Sequence, residues 1–396
     1  MNILKNIVKK FSKEDTHQNY TKSFYLNLEQ PVWTDRSYLQ FAQQGFVKNV
    51  VAYRAVNMIA QGASTIPIKV YGGDDQVRLD QHEVLGLLQQ PNPQQSLIEF
   101  LEAIYLYRLI SGNTYIFSTC EIGKMPKELY VLRPDRVQVI PGKNFLPKAF
   151  RYSIGKNKFD YGVDAISGIA KILHIKNFHP SSDWYGLSPI EAAAYSIDQH
   201  NSAAAWNQSL LQNGARPSGA IVVKEEKHIS EEQFSRLKEQ VNENFSGFKN
   251  AGKPMILEGG LAWQDISLSP KDMDFIHCKN SAARDIALAF GVPPQMLGIP
   301  GDSTYNTYAE ARIALWEQRI IPYAEDTTSR LSHWLSNLSG QKFTIKIDKD
   351  NIPILAEKRE QLWERVRNAD FMTVNEKRQQ FGLAPMTDRD NLSDRS

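Results

Sequence analysis

Apolar positions along this chain recur at two spacings, and the changes between them divide it into elements. Val51, Ala55, Ile59 and Ala63 stand four apart, which places them on one face of a helix over 47–66. IPIKVYGG then reads as a strand that stops at a glycine pair. Ser96 with Glu99 three residues on forms a capping box for LIEFLEAIYLYRLI, which Ser111-Gly112-Asn113 terminates. The aromatics of that helix, Phe100, Tyr105 and Tyr107, read as core and edge packing. Strands are predicted next in NTYIFST, ELYVL, RVQVI, FRYSI and KILHIKNF, separated by Gly, Pro and Asn turns. Arg133-Pro134-Asp135-Arg136 falls in one of those turns, with Pro starting it and Asp capping it. Helices followed by a run of strands make the first half an α+β domain.

Longer helices dominate the second half. Ser188-Pro189, with Glu191 behind them, opens a helix through AAAYSIDQHNSAAAWNQSLLQ, a rod of roughly 38 Å at about 1.5 Å per residue. Its alanines, Ala192 to Ala194 and Ala203 to Ala205, leave little side-chain bulk, so another helix can approach closely. PSGAIVVK is a strand, SEEQFSRLKEQVNENFSGF a helix capped by Ser230 and Gln233, and KPMILEGG and AWQDISLS two more strands. A further helix opens at Ser269-Pro270 and closes at Phe290-Gly291, with Pro293-Pro294 just beyond. The loop GVPPQMLGIPGDSTYN follows, and a helix restarts at Thr307 with Glu310 as its reciprocal cap. Inside it Pro322 deletes one backbone hydrogen bond and clashes with the carbonyl of Gln318, which predicts a kink. KFTIKID is a strand able to return to the first domain. ILAEKREQLWERVRNADFMTVNEKRQQFGL reads as two charged helices, and the polar tail MTDRDNLSDRS as disorder.

Composition and charge narrow the chemistry. At 396 residues the chain has material for two to three domains. With 46 Lys and Arg against 44 Asp and Glu, the net charge of +2 lacks the basic excess that tight static binding to phosphates requires. Two cysteines, Cys120 and Cys278, are far apart and show no metal-ligand spacing, so both are expected reduced and buried. No run approaches the roughly 18 apolar residues of a membrane span, and no secretory signal pattern is present, which sets the expectation of a protein made and kept in a cytoplasm. His174, His179 and Asp183 come nearest to a metal constellation, but a five-residue spacing in an extended segment points the two imidazoles to opposite faces. His277-Cys278 would point about 100° apart on a helix and read as buried packing. Gly-Leu-Ser-Pro fails as a nucleophile elbow at Ile190, and Glu258-Gly259-Gly260 lacks the lysine of a phosphate loop. Catalytic, cofactor-binding and metal-ligating residues are therefore all read as none. The N-terminal MNILKNIVKKFSKED is amphipathic, as an interfacial or targeting helix would be. The polar stretch after it favours an arm that docks on a neighbouring chain or stays disordered.

AARDIALAFGVPPQMLGIPGDSTYNTYAEARIALWEQRIIPYAED resembles the phage portal protein family, specifically the portals of long-tailed phages and related gene transfer agents. The resemblance extends through RPDRVQVI, HIKNFHPSSDWYGLSPIEAA, LQNGARPSGAIVV and GKPMILEGGLAWQDISLSPKDMDF, five motifs in family order between about Val47 and Leu338. It implies a multi-domain portal architecture: an N-terminal arm (1–46), an α+β wing (47–187, with a return strand in 341–355), long stem helices (188–214 and 269–290), a small α/β clip (215–268), a channel loop (291–306), a kinked wing helix (307–340), a helical crown (356–385) and a tail (386–396). It also implies a homododecameric ring at one capsid vertex, in a virion of phage, prophage or gene transfer agent type assembled in a bacterial cytoplasm. Double-stranded DNA would pass through the ring. The implied partners are the terminase large subunit, the head-tail adaptor and the major capsid protein, with ATP hydrolysis left to the terminase and no membrane contact.

Charge then decides how the loop would meet DNA. From Gly291 to Asn306 it has no Lys or Arg and one acid, Asp302, so it cannot neutralise phosphates. It offers Gln295, Asp302, Ser303, Thr304, Tyr305 and Asn306 for weak exchangeable contacts, with Gly298 and Gly301 lending it mobility. The apolar half, Met296, Leu297 and Ile299, is alternatively buried at a subunit interface. Ala193, Ala204 and Ala205 are the expected stem-packing positions and Pro322 the helix kink. The rival functions are a metal-dependent hydrolase built on His174, His179 and Asp183, and a static DNA-binding module.

Overall fold

After the helical turns Tyr38–Gln40 and Phe41–Val47, Asn49 starts the first long helix. Its backbone is extended, and its side-chain oxygen accepts from the N–H groups of Val51 and Ala52 at 3.1 and 3.0 Å, so α1 runs Val50–Ser64. The computed structural model describes residues 33–73, 77–120, 122–143, 146–212, 219–223, 261–265, 274–301 and 305–381, with isolated positions in 230–239 and at 386. Ala52, Ala55, Ile59 and Ala60 are fully buried on α1, and these small residues let another helix lie close. A short helix, α2 (Glu83–Gln89), comes next. The following helix, α3 (Leu97–Ser111), carries the expected capping box: Ser96 and Glu99 each bond the other's backbone. It ends at Gly112, whose φ of 75° only glycine adopts without strain. Phe100, Ile104, Tyr105 and Leu109 are all fully buried, so α3 is enclosed by the core.

The strands are β1 (Ile68–Gly72), β2 (Asn113–Ser118), β3 (Leu129–Leu132), β4 (Val137–Pro141), β5 (Pro147–Ile154), β6 (Asn157–Gly162), β7 (Ile172–Lys176), β8 (Gly219–Val223), β9 (Leu261–Asp265) and β10 (Phe343–Ile347). Their sheets are β3-β2-β7, β4-β5-β6, β8-β9 and β1-β10, each with antiparallel pairs. In the last of them Ile68 lies opposite Ile347, so KFTIKID does return to the first strand, where Lys69 pairs with Asp348 at 2.7 Å. The fold is α+β.

Later among the described residues come the helices α4 (Ala194–Gln212), α5 (Phe275–Phe290), α6 (Tyr305–Leu315), α7 (Ile321–Ser339), α8 (Ala356–Arg367) and α9 (Val374–Gln380). The rod expected over 188–212 is broken. Pro189–Ala192 is a separate turn, and Ala193 leaves helical geometry at φ −90°, ψ 4° before α4 begins. Glu191 therefore supports a single turn, and the straight part is 19 residues, about 28 Å. The expected openings at Ser230 and Ser269-Pro270, the strand KPMILEGG and the N-terminal arm lie wholly or partly outside the described residues.

Residues from Thr34 onward form one compact unit. Its principal core joins α1 and α3 to α7 and to both ends of the loop region through Ile286, Phe290, Val292, Leu315 and Ile320. Full burial of a side chain such as Phe290 stabilises by about 2–3 kcal/mol. One buried cation crosses this core. Arg108 donates to Asn177 at 2.9 Å and to Thr327 at 3.1 Å, pairs with Asp326 at 2.6 Å and lies 4.4 Å from the centre of the Tyr323 ring. Burial opposes the charge on Asp326, but Arg330 and Arg108 hold its carboxyl below the usual carboxylate range. Gly112 and Gly186 bring sheet and helix entry together: a Cβ on either would strike the other's carbonyl oxygen. Ser188 Oγ then donates to the carbonyl of Ile110 at 2.6 Å.

Candidate channel segment and stem helices

The candidate loop is anchored at both ends. At the end of α5, Gly291 takes φ 68°, and Val292 N–H bonds back to the carbonyl of Ala287 at 2.9 Å. Pro293 and Pro294 then turn the chain into one 3-10 turn, Pro294–Leu297, closed by Gly298 at φ 70°. Gln295 lies in that turn. Gly298 is thus a required left-handed cap, a more specific duty than the mobility expected of it. Ile299 is buried against Ala283 and Ala287 of its own subunit, with Leu297 and Val51 beside it. Arg284 on α5 donates to the carbonyl of Pro300. The apolar half is therefore held by its own protomer. Gly298, Pro300 and Gly301 are exposed at the tip. Asp302, Ser303 and Thr304 lie outside the described residues. Tyr305 and Asn306 open α6, so the backbone assigns them to the helix, and Thr307 is its third residue instead of its cap.

Pro322 is accommodated by a different hydrogen-bond pattern from the one expected. Trp316–Ile320 is a π segment in which Ile321 N–H reaches the carbonyl of Trp316, and Pro322 sits in the first turn of the helix after it. A wider turn takes the missing donor and the ring without the clash against Gln318. Ile320 and Ile321 are buried, which fixes the register, and Gly62 of α1 lies so close to Ile320 that a Cβ would meet its methyl at 2.8 Å. Arg319 projects from the same turn, 4.9 Å from the Tyr323 ring centre, and burial lowers its pKa. Pro322→Ala should let residue 322 donate to Gln318. Amide hydrogen exchange over 318–323 is expected to slow several-fold while thermal stability shifts by less than about 1 kcal/mol. Unchanged exchange would show that the π turn is set by Ile320 and Ile321 alone.

The stem positions separate by exposure. Ala203 is buried on α4, which packs against α5, and Ala193 is buried at the break before it. Ala204 and Ala205 are exposed, as are Leu211 on α4 and Ile276 and Leu288 on α5. Trp206 stacks on Phe275 at 4.1 Å between ring centres, closing the far end of the pair. His277 and Cys278 are exposed, not buried as expected, because the buried residues of α5, among them Ala282, Ala283 and Ile286, begin only a turn later. Cys120 is buried.

The residues of the rival metal site serve structural ends. His174 stacks on Tyr115 at 4.3 Å and bonds Asn113 Oδ1 through Nε2 at 3.0 Å. His179 accepts from Ser181 N–H, and the Asp183 carbonyl accepts from Lys176. Among the described residues no group of three His, Cys, Asp or Glu could hold a metal ion, and no helix is long and apolar enough to cross a membrane.

The sequence profile described as "Phage portal protein" matches residues 50–382. A protein of Rickettsia bellii (strain RML369-C) is 45% identical over 388 residues, 98% of this chain and 100% of that one. The portal protein of Enterobacteria phage HK97 is 25% identical over 296 residues, 72% of this chain and 66% of that one. Among solved structures, a chain in the neck of the native GTA particle computed with C12 symmetry is 41% identical, with a TM-score of 0.67 over 90% of this chain and 96% of that chain. With a family match over most of its length, and the α+β fold and anchored loop already described, the chain belongs to the phage portal protein family.

Proposed function

We propose that this protein forms a closed homododecameric ring at one vertex of a capsid, and that double-stranded DNA passes through it during packaging and release. The C12 symmetry of the similar GTA neck supports the ring. The observation that carries the channel reading is the segment after α5: a loop without Lys or Arg, seated on the core through Val292, Leu297 and Ile299, with Gly298, Pro300 and Gly301 exposed at its tip. Such a tip contacts a duplex weakly and lets it slide. In the same reading, 47–187 with 341–355 form the wing, 215–268 a clip facing the terminase large subunit and later the head-tail adaptor, and 356–385 the crown, while the major capsid protein surrounds the ring. The protein resides in the virion.

The variant Ser303→Cys tests the channel. In a Cys278→Ser background, which removes the exposed native thiol, a photoreactive group attached to the new thiol is expected to crosslink to DNA in filled particles. A site that reacts freely in empty rings yet stays silent toward DNA would remove the loop from the channel.

A further inference from the structure

Many cations elsewhere in the fold are matched. Lys69 pairs with Asp348, Arg133 with Asp135, Arg151 with Asp160, Lys349 with Glu325 and Lys358 with Glu317, each within 3 Å. Lys48, Arg54, Lys279 and Arg284 have no carboxylate partner among the described residues.

Contacts already described bring the four to one border. Lys48 precedes Asn49, whose side chain bonds His200 at 3.3 Å and Asn201 at 3.0 Å. Burial, and then the nearby charge of Lys279, hold His200 below its ordinary pKa, so the imidazole itself adds no charge there. Val51 of α1 packs with Leu297 and Ile299 against Ala283 and Ala287. Arg54 follows Val51 by three residues on the same helix and is exposed, and Arg284 is exposed beside Ala283. Asp285, next to Arg284 in sequence, accepts from Ser196, and Asp198 accepts from Thr34, so both carboxylates keep their charge but are hydrogen-bonded to groups other than these cations. Four cations against these two carboxylates leave an excess of positive charge, which an external anion balances.

We propose that this border, and not the loop, supplies the phosphate contacts of the channel: Lys48, Arg54, Lys279 and Arg284 face the sugar-phosphate backbone of duplex DNA, while the loop after α5, which has no Lys or Arg, acts as a collar. The proposal rests on the channel reading above. A duplex presents one negative charge per about 1.7 Å of axis, so a ring of four-cation borders is complementary to each stretch of backbone that passes it. The net charge of +2 keeps the remainder of the chain from adding a strong general attraction.

The test uses assembled rings and a short duplex, with binding followed between about 50 and 200 mM salt. Lys48→Gln, Arg54→Gln and Lys279→Gln are combined. Arg284 is left intact because it also holds the Pro300 carbonyl. Rings are expected to form as in the wild type, while the slope of log K against log salt flattens by about one unit for each phosphate that is no longer neutralised. The charge-preserving pair Lys48→Arg and Arg54→Lys should keep the wild-type slope. A triple variant with unchanged slope and affinity would overturn the proposal, and so would one that no longer forms rings, since the border would then be a subunit contact. Failure of the channel reading is separate: Ser303→Cys particles with the border intact would then give no DNA crosslink.

Discussion

Replacing Ala204 and Ala205 with glutamate is expected to abolish the ring and leave the subunit folded. Both residues are exposed on α4, while Ala203 beside them is buried against the rest of the subunit. An exposed alanine pair is cheap to change in the monomer, where surface substitutions shift stability by about 0.5 kcal/mol. In a ring of close-packed helices the same positions would carry two unpaired carboxylates into each interface. Burying a charge without a partner costs several kcal/mol, and a closed ring repeats the cost at every contact. Sedimentation should therefore move from a large ring to monomer, with an unchanged circular dichroism spectrum and melting midpoint. A double variant that still sediments as a ring would exclude α4 from the subunit interface.

His174 should make the fold sensitive to acid well above the range of carboxylates. Burial, then the charges of Lys176 and Arg330, push its pKa down to about 3, whereas an unfolded chain titrates near 6.5. Between those values the unfolded state binds the extra proton, so stability is complete above about pH 6.5 and declines as pH falls toward 3. The slope approaches about 1.4 kcal/mol per pH unit, and roughly 4 kcal/mol is lost across the window. His200, also depressed, adds in the same direction. His174→Phe keeps a ring against Tyr115 and should flatten most of the slope between about pH 6.5 and 4.5 in denaturant titrations. An unaltered slope would place the titration elsewhere.

Much of the framework was legible because local signals and tertiary packing agreed. The Ser96–Glu99 box, the Gly112 and Gly291 stops and the return of β10 to β1 follow from capping and alternation. What was missed lacked those signals. β6, NKFDYG, is an edge strand with five of six residues exposed, so it has no apolar alternation to read. The cap of α2 is His82, whose Nδ1 accepts from Val84 N–H at 3.2 Å, and histidine is not a common cap. The π turn before Pro322 depends on which residues of 316–321 the core buries. The break at Ala193 likewise depends on packing, since nothing in its alanine-rich surroundings stops a helix. In the candidate site, the absence of Lys and Arg from the loop was readable from sequence. The cationic border was not, because it joins residues of α1 and α5 that are more than 200 positions apart.

Electron microscopy of the purified protein, and of particles that contain it, addresses the ring directly. A closed ring with twelvefold symmetry is expected, as in the similar GTA neck, with α4 and α5 forming the stem and residues 291–306 encircling the axis. A protein that stays monomeric at high concentration and is absent from capsid vertices, or a ring whose 291–306 segments face outward, would contradict it.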